Sequence, residues 1–143
     1  MIFLDKPKDF NPKIEVVSCL MEYDGVILFL QRNDDKFKGG KWCRPAGKLN
    51  AGENKLQALV REINEETGLE VKESNLEFLK TIYVRYPEFD YPYHTYKLSL
   101  RVKPDVKLNN NEHQKYIWLK PEEILNLDLL PDEADCLKLI YNL

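Results

Sequence analysis

No stretch of this chain approaches the ~20 consecutive apolar residues that a membrane-spanning helix needs. The N-terminal segment MIFLDKPKDFNPK meets charge at Asp5 before any apolar core of signal-peptide length develops. A cytoplasmic location is therefore the expectation. Cysteine is scarce: Cys19, Cys43 and Cys136 are odd in number, widely spaced and form no C-x-x-C pair. Free thiols are expected, not a disulfide frame or a zinc site. Basic charge is not in excess either, with 21 Lys and Arg against 24 Asp and Glu, so no broad cationic face offers itself to long nucleic acid. One local basic patch for a small phosphorylated ligand remains compatible with that balance. Repeats, low-complexity tracts and linkers are absent, and 143 residues is near the commonest size of one domain. Residues 1–143 are expected to fold as a single domain.

What is present reads as strands around a central helix. Residues 13–21 (KIEVVSCLM) and 25–31 (GVILFLQ) are β-rich runs on either side of Tyr23-Asp24-Gly25, and Asp-Gly predicts a hairpin turn. The polar stretch 33–52 predicts a loop with a short strand near Trp42. From Asn54 to Thr67 the period becomes helical: Leu56, Leu59, Val60 and Ile63 fall on one stripe, and Glu62, Glu65 and Glu66 on another. Asn54 and Gln57 have the spacing of a capping box, and Gly68 stands where a left-handed stop is wanted. Further strands are expected at 77–86, 93–102 and 115–119, a short helix from Pro121, and a last helix at about 132–142. Strands before and after a central helix, with a closing helix, predict the α/β class: a mixed sheet with helices on both faces.

The carboxylates are the anomaly. At i,i+3 and i,i+4 spacing like charges destabilise a helix by a few tenths of a kcal/mol per pair, so something positive belongs in front of them. Extending backwards, residues 47–69 read GKLNAGENKLQALVREINEETGL and match G-x5-E-x7-R-E-U-x-E-E-x-G-U, where U is a bulky aliphatic. Gly47, Glu53, Arg61, Glu62, Ile63, Glu65, Glu66, Gly68 and Leu69 fill every fixed position. In this the chain resembles the Nudix hydrolases, over most of its length. The resemblance implies an α/β/α sandwich and a pyrophosphohydrolase dependent on Mg²⁺ or Mn²⁺. It further implies Glu62, Glu65 and Glu66 as metal ligands, Glu53 as an auxiliary carboxylate, Arg61 as the group that orients them, and Glu62 as the base. The physics agrees: hard divalent cations take oxygen ligands, keep several waters and bridge to substrate phosphates, and a bound cation lowers the pKa of its water. Gly47 and Gly52 are read as giving the preceding loop its tight turn.

Outside the box the chain resembles the MutT-like branch, through Gln31-Arg32, Lys41-Trp42 and Pro45-Ala46-Gly47-Lys48, with Ala46 departing from a second glycine found in many members. Arg32 and Lys48 are candidate phosphate contacts, the other reading being solvated cations. Glu112, six residues before Trp118, is either a further metal ligand or loop charge. His113 follows it, and one histidine does not make a site; His94 is read as packing or bonding locally. The aromatic run 86–93 (YPEFDYPY) is a base-stacking lip, a dimer contact or loop packing. Asp132, after Pro131, either contacts a purine edge or caps the last helix. The substrate expected is a nucleoside triphosphate, including an oxidised purine such as 8-oxo-dGTP, cleaved to the monophosphate and pyrophosphate. A nucleotide sugar, a dinucleotide or an RNA cap would use the same chemistry. A non-catalytic nucleotide-binding regulator is the other class, against which the intact box argues. The partner expected is a small nucleotide, not a membrane or long nucleic acid, with the chain a monomer or homodimer.

Overall fold

A computed structural model describes residues 1–143. The hairpin forms as expected: β2 (Val16–Tyr23) and β3 (Val26–Arg32) meet through Asp24 and Gly25, both at positive φ, the backbone of a two-residue turn that matches strand twist. A two-residue edge strand, β1 (Ile2–Phe3), precedes them, and β4 (Trp42–Cys43) and β5 (Ala46–Lys48) follow. After helix α1 (Lys55–Thr67) come β6 (Leu76–Arg85), β7 (Asp90–Leu100), β8 (His113–Leu119), α2 (Pro121–Ile124) and α3 (Glu133–Tyr141). The sheet runs β1-β6-β7-β2-β3-β4, with β5 also paired to β2 and β8 to β3. It is mixed, because β2 and β7 run parallel from Val16↔Tyr93 to Tyr23↔Leu100 while the other pairs are antiparallel.

Strand period 2 explains the layers. Val17, Cys19 and Met21 of β2, with Leu28 and Leu30 of β3, pack against Ala58, Leu59 and Ile63 of α1. Leu20, Ile27 and Phe29, on the opposite face, pack against Ile124 of α2 and Leu137 of α3. Both faces are covered, so the two central strands read as nearly continuous apolar runs. The result is the expected α/β/α sandwich. Two strands escape the sequence reading, β1 and β5. Neither two nor three residues carry a usable period, and Ala46-Gly47-Lys48 is a strand only because Val16–Ser18 is there to pair with it.

Helix α1 is delimited as read. Gln57 N–H donates to Asn54 Oδ1 at 2.8 Å, Asn54 N–H to Gln57 Oε1 at 3.0 Å, and Gly68 closes the helix at φ 76. The three cysteines are buried and unpaired. No helix is long and apolar enough to cross a membrane.

Candidate active site

The box carboxylates project from α1, but they do not form one equivalent set. Arg61 sits among them. Its Nε and Nη2 donate to Glu53 at 2.7 and 2.8 Å, while Nη1 donates to Glu62 at 2.8 Å and to Glu65 at 3.2 Å. The bidentate fork to Glu53, with Asn50 N–H donating as well, holds the Glu53 carboxyl down at about 2. Part of the positive charge that the acidic helix calls for is therefore supplied by the chain itself.

Glu62 is wedged against β5. A methyl group on Gly47 would overlap the Glu62 carboxylate, so the first glycine of the box is required for space. This corrects the turn role read from the sequence. Gly47 has no positive φ, whereas Gly52 does, at φ 83, and Gly52 makes the turn before α1. Burial raises the Glu62 carboxyl above its ordinary value, against Arg61.

Glu66 turns inward and is 5% exposed. It accepts from Ala46 N–H at 3.0 Å, a second use of the β5 backbone. Burial, and then the neighbouring Glu62, raise its pKa strongly. Glu65 points outward and is half exposed. Glu112, in the loop before β8, is brought to Glu66: ligand atoms of Glu66, Glu112 and His113 all lie within 4.8 Å of one another. Two carboxylates and an imidazole at that separation suit a divalent cation in both donor type and spacing.

His113 is the member that sequence reasoning missed. It is 2% exposed, and burial followed by the Arg32 charge lowers its pKa to about 4, so the ring is neutral at neutral pH. His94, by contrast, bonds locally as expected, to Thr81 Oγ1 at 2.8 Å and Glu15 Oε1 at 3.0 Å.

A cavity of about 240 Å³ leads away from the cluster. Glu66, His113, Arg32, Gly47 and Lys48 line it, together with Tyr86, Phe89, Tyr91, Tyr93 and Asp132. Arg32 donates through Nε to Phe37 O at 2.9 Å; Lys48 is exposed. The aromatic run stacks edge to face, Tyr86 on Phe89 and on Tyr91 at 5.6 Å and Tyr91 on Tyr93 at 6.1 Å, and forms a wall of this cavity. Beneath it Arg44, fully buried, pairs with Glu133 and lies over the Tyr93 ring at 5.1 Å. Nothing local in the sequence marks that pair, whose members are 89 positions apart. Asp132 begins α3 but does not cap it. At φ 70 its carboxylate turns from the helix and accepts instead from the Met1 ammonium at 2.8 and 3.0 Å, because a capping side chain needs extended backbone.

The family profile described as NUDIX domain matches residues 12–140. The chain belongs to the Nudix family. It is 34% identical over 127 residues to CTP pyrophosphohydrolase of Escherichia coli strain K12, covering 87% of this chain and 89% of the relative. Nucleoside triphosphatase NudI of Escherichia coli O81 strain ED1a is 30% identical over 131 residues, with 80% and 86% covered. Among solved structures, the MutT protein of Methanosarcina mazei Go1 superposes with a TM-score of 0.78 at 28% identity, covering 92% of this chain and 94% of that one. This Nudix protein is accordingly an enzyme, a pyrophosphohydrolase, of a family that uses divalent metals.

Proposed function

We propose that residues 1–143 act as a single-domain hydrolase of nucleoside triphosphates, releasing the monophosphate and pyrophosphate with Mg²⁺ or Mn²⁺ as cofactor. The observation that carries this reading is one cavity lined both by Glu66 and His113 of the carboxylate and imidazole cluster and by a wall of aromatic rings. Glu66, Glu112, Glu62 and Glu65 hold the metal, which when bound neutralises phosphoryl charge and acidifies a water. Arg32 and Lys48 contact the phosphates. Glu62, whose pKa is raised and whose position is fixed by Gly47 and Arg61, takes the proton of the attacking water. Glu53 and Arg61 keep that carboxylate in place.

The base lies against Tyr86, Phe89 and Tyr91, and Asp132 accepts from a base amino group in exchange for the Met1 ammonium. Cytosine, guanine and adenine all present such a donor, and uracil and thymine do not. The similarity to a CTP pyrophosphohydrolase favours a cytosine nucleotide as the first to assay, with 8-oxo-dGTP, the purine expectation, second. A pyrophosphatase screen with Mg²⁺ across nucleoside triphosphates, nucleotide sugars, dinucleotides and capped RNA tests the reading. Nucleoside triphosphates are expected to give the highest kcat/KM. A stronger response to a dinucleotide or nucleotide sugar refutes it. In Asp132→Ala the ratio of kcat/KM between bases should fall at least tenfold; an unchanged ratio removes Asp132 from the base site.

A further inference from the structure

Strand β8 pairs with β3 in a register that is regular from Ile27↔Leu119 to Gln31↔Lys115 and then jumps to Arg32↔His113. Gln114 is the extra residue, a β-bulge. The consequence is one of parity. Leu28, Leu30 and Arg32 share a face of β3, and their partners are Trp118, Tyr116 and His113. Without the bulge Arg32 would face Gln114, and His113 would fall on the opposite side of the sheet. The bulge therefore delivers the imidazole to the face covered by α1, where Glu66 is.

Once there, the ring is buried with Nδ1 lacking any hydrogen-bond partner, while Nε2 lies 4.0 Å from Cys43 Sγ. A buried ring nitrogen left without a partner is destabilising. The tautomer that donates Nε2–H toward sulfur leaves a free lone pair on Nδ1, the arrangement of a metal-binding histidine oriented through its other nitrogen. The loop is pinned in the same posture: His113 N–H and Glu112 N–H both donate to Asn109 O at 2.9 Å, and Asn33 N–H donates to Glu112 O at 2.9 Å.

We infer that His113 is a nitrogen ligand of the divalent cation held by Glu66 and Glu112. The inference rests on the metal-dependent reading of this site. Its consequence is chemical: an all-oxygen set favours Mg²⁺, whereas an added imidazole shifts preference toward Co²⁺, Ni²⁺ and Zn²⁺, with Mn²⁺ between. The site is thus tuned away from Mg²⁺ relative to one built of carboxylates alone.

The chain has only two histidines, and His94 is engaged by Thr81 and Glu15, so spectroscopy can decide. Mn²⁺ is titrated alone into the full chain, and pulsed EPR is recorded with unlabelled and ¹⁵N-histidine protein. A directly coordinated histidine nitrogen should appear and change isotope with the label. It should vanish in His113→Asn, whose amide oxygen stands near the Nδ1 position. Calorimetry should show Co²⁺ binding weakened about tenfold in that variant and Mg²⁺ binding less than threefold. Mn²⁺ that binds and is lost in Glu66→Gln, yet shows no histidine coupling in the native protein, overturns the inference and leaves the carboxylate site standing. Failure of Mn²⁺ to bind overturns both. The native spectrum decides even if His113→Asn does not fold.

Discussion

Replacing Glu66 by Gln separates a metal ligand from a structural acceptor, because the two roles predict opposite shifts in stability. Glu66 is buried, is within ion-pair distance of no cation, and accepts one backbone hydrogen bond, from Ala46 N–H. Gln keeps a carbonyl for that bond and removes the charge. Relief of a buried, uncompensated charge is worth about 1–3 kcal/mol. At ~3 °C per kcal/mol for a domain of this size, Tm in EDTA should rise by roughly 3–9 °C. Burial raises the Glu66 pKa above its ordinary 4.5, so the folded state holds a proton that the unfolded chain has already lost. Wild-type stability in EDTA should therefore fall as pH climbs from about 4.5 through the raised folded value, and that part of the slope should be missing from the variant. Saturating Mg²⁺ narrows the gap or reverses the order. At a hundred times its Kd it adds about 2.7 kcal/mol to the wild type, roughly 8 °C, and much less to Glu66→Gln. Turnover should drop at least a hundredfold, equivalent to ~2.7 kcal/mol of barrier. Thermal scans with and without Mg²⁺ at several pH values, beside steady-state rates, make the assay. A variant less stable in EDTA that keeps the full Mg²⁺-induced rise would refute the reasoning and make Glu66 a structural residue.

Glu112→Gln should raise the Mg²⁺ concentration for half-maximal rate by less than Glu66→Gln does, since Glu112 is exposed on a loop; an identical metal titration would return it to surface charge. Gly47→Ala should cut turnover about 10–100-fold by displacing Glu62, whereas Gly52→Ala, strained at φ 83, should cost about 1 kcal/mol of stability with turnover kept; paired kinetics and melting curves distinguish space from turn. Glu133→Gln should destabilise by about 3–5 kcal/mol, roughly 9–15 °C in Tm, because it strands the buried Arg44 charge. The double variant Arg44→Met, Glu133→Leu should recover most of that loss, and a Glu133→Gln protein melting like wild type contradicts the account.

Local chemistry was enough for much of this molecule. The Asp24-Gly25 turn, the Asn54–Gln57 capping box, the Gly68 stop and the apolar stripe on α1 each depend on residues a few positions apart, so the sequence alone determined the helix, the hairpin and the acidic face between them. The resemblance carried by residues 47–69 also implied that Glu53, Arg61, Glu62, Glu65 and Glu66 would act together, and Arg61 does join Glu53, Glu62 and Glu65. What the carboxylates then do was decided by tertiary structure. β5 exists only by pairing with β2, and it buries Glu66 on the Ala46 N–H and confines Glu62 against Gly47. Arg44 and Glu133 find each other across 89 positions, and the backbone at Asp132, not its residue type, turned that side chain from a cap. His113 depends on one extra residue in a strand. A side chain's face follows from the parity of its pairing register, and parity is a property of the partner strand as much as of its own sequence.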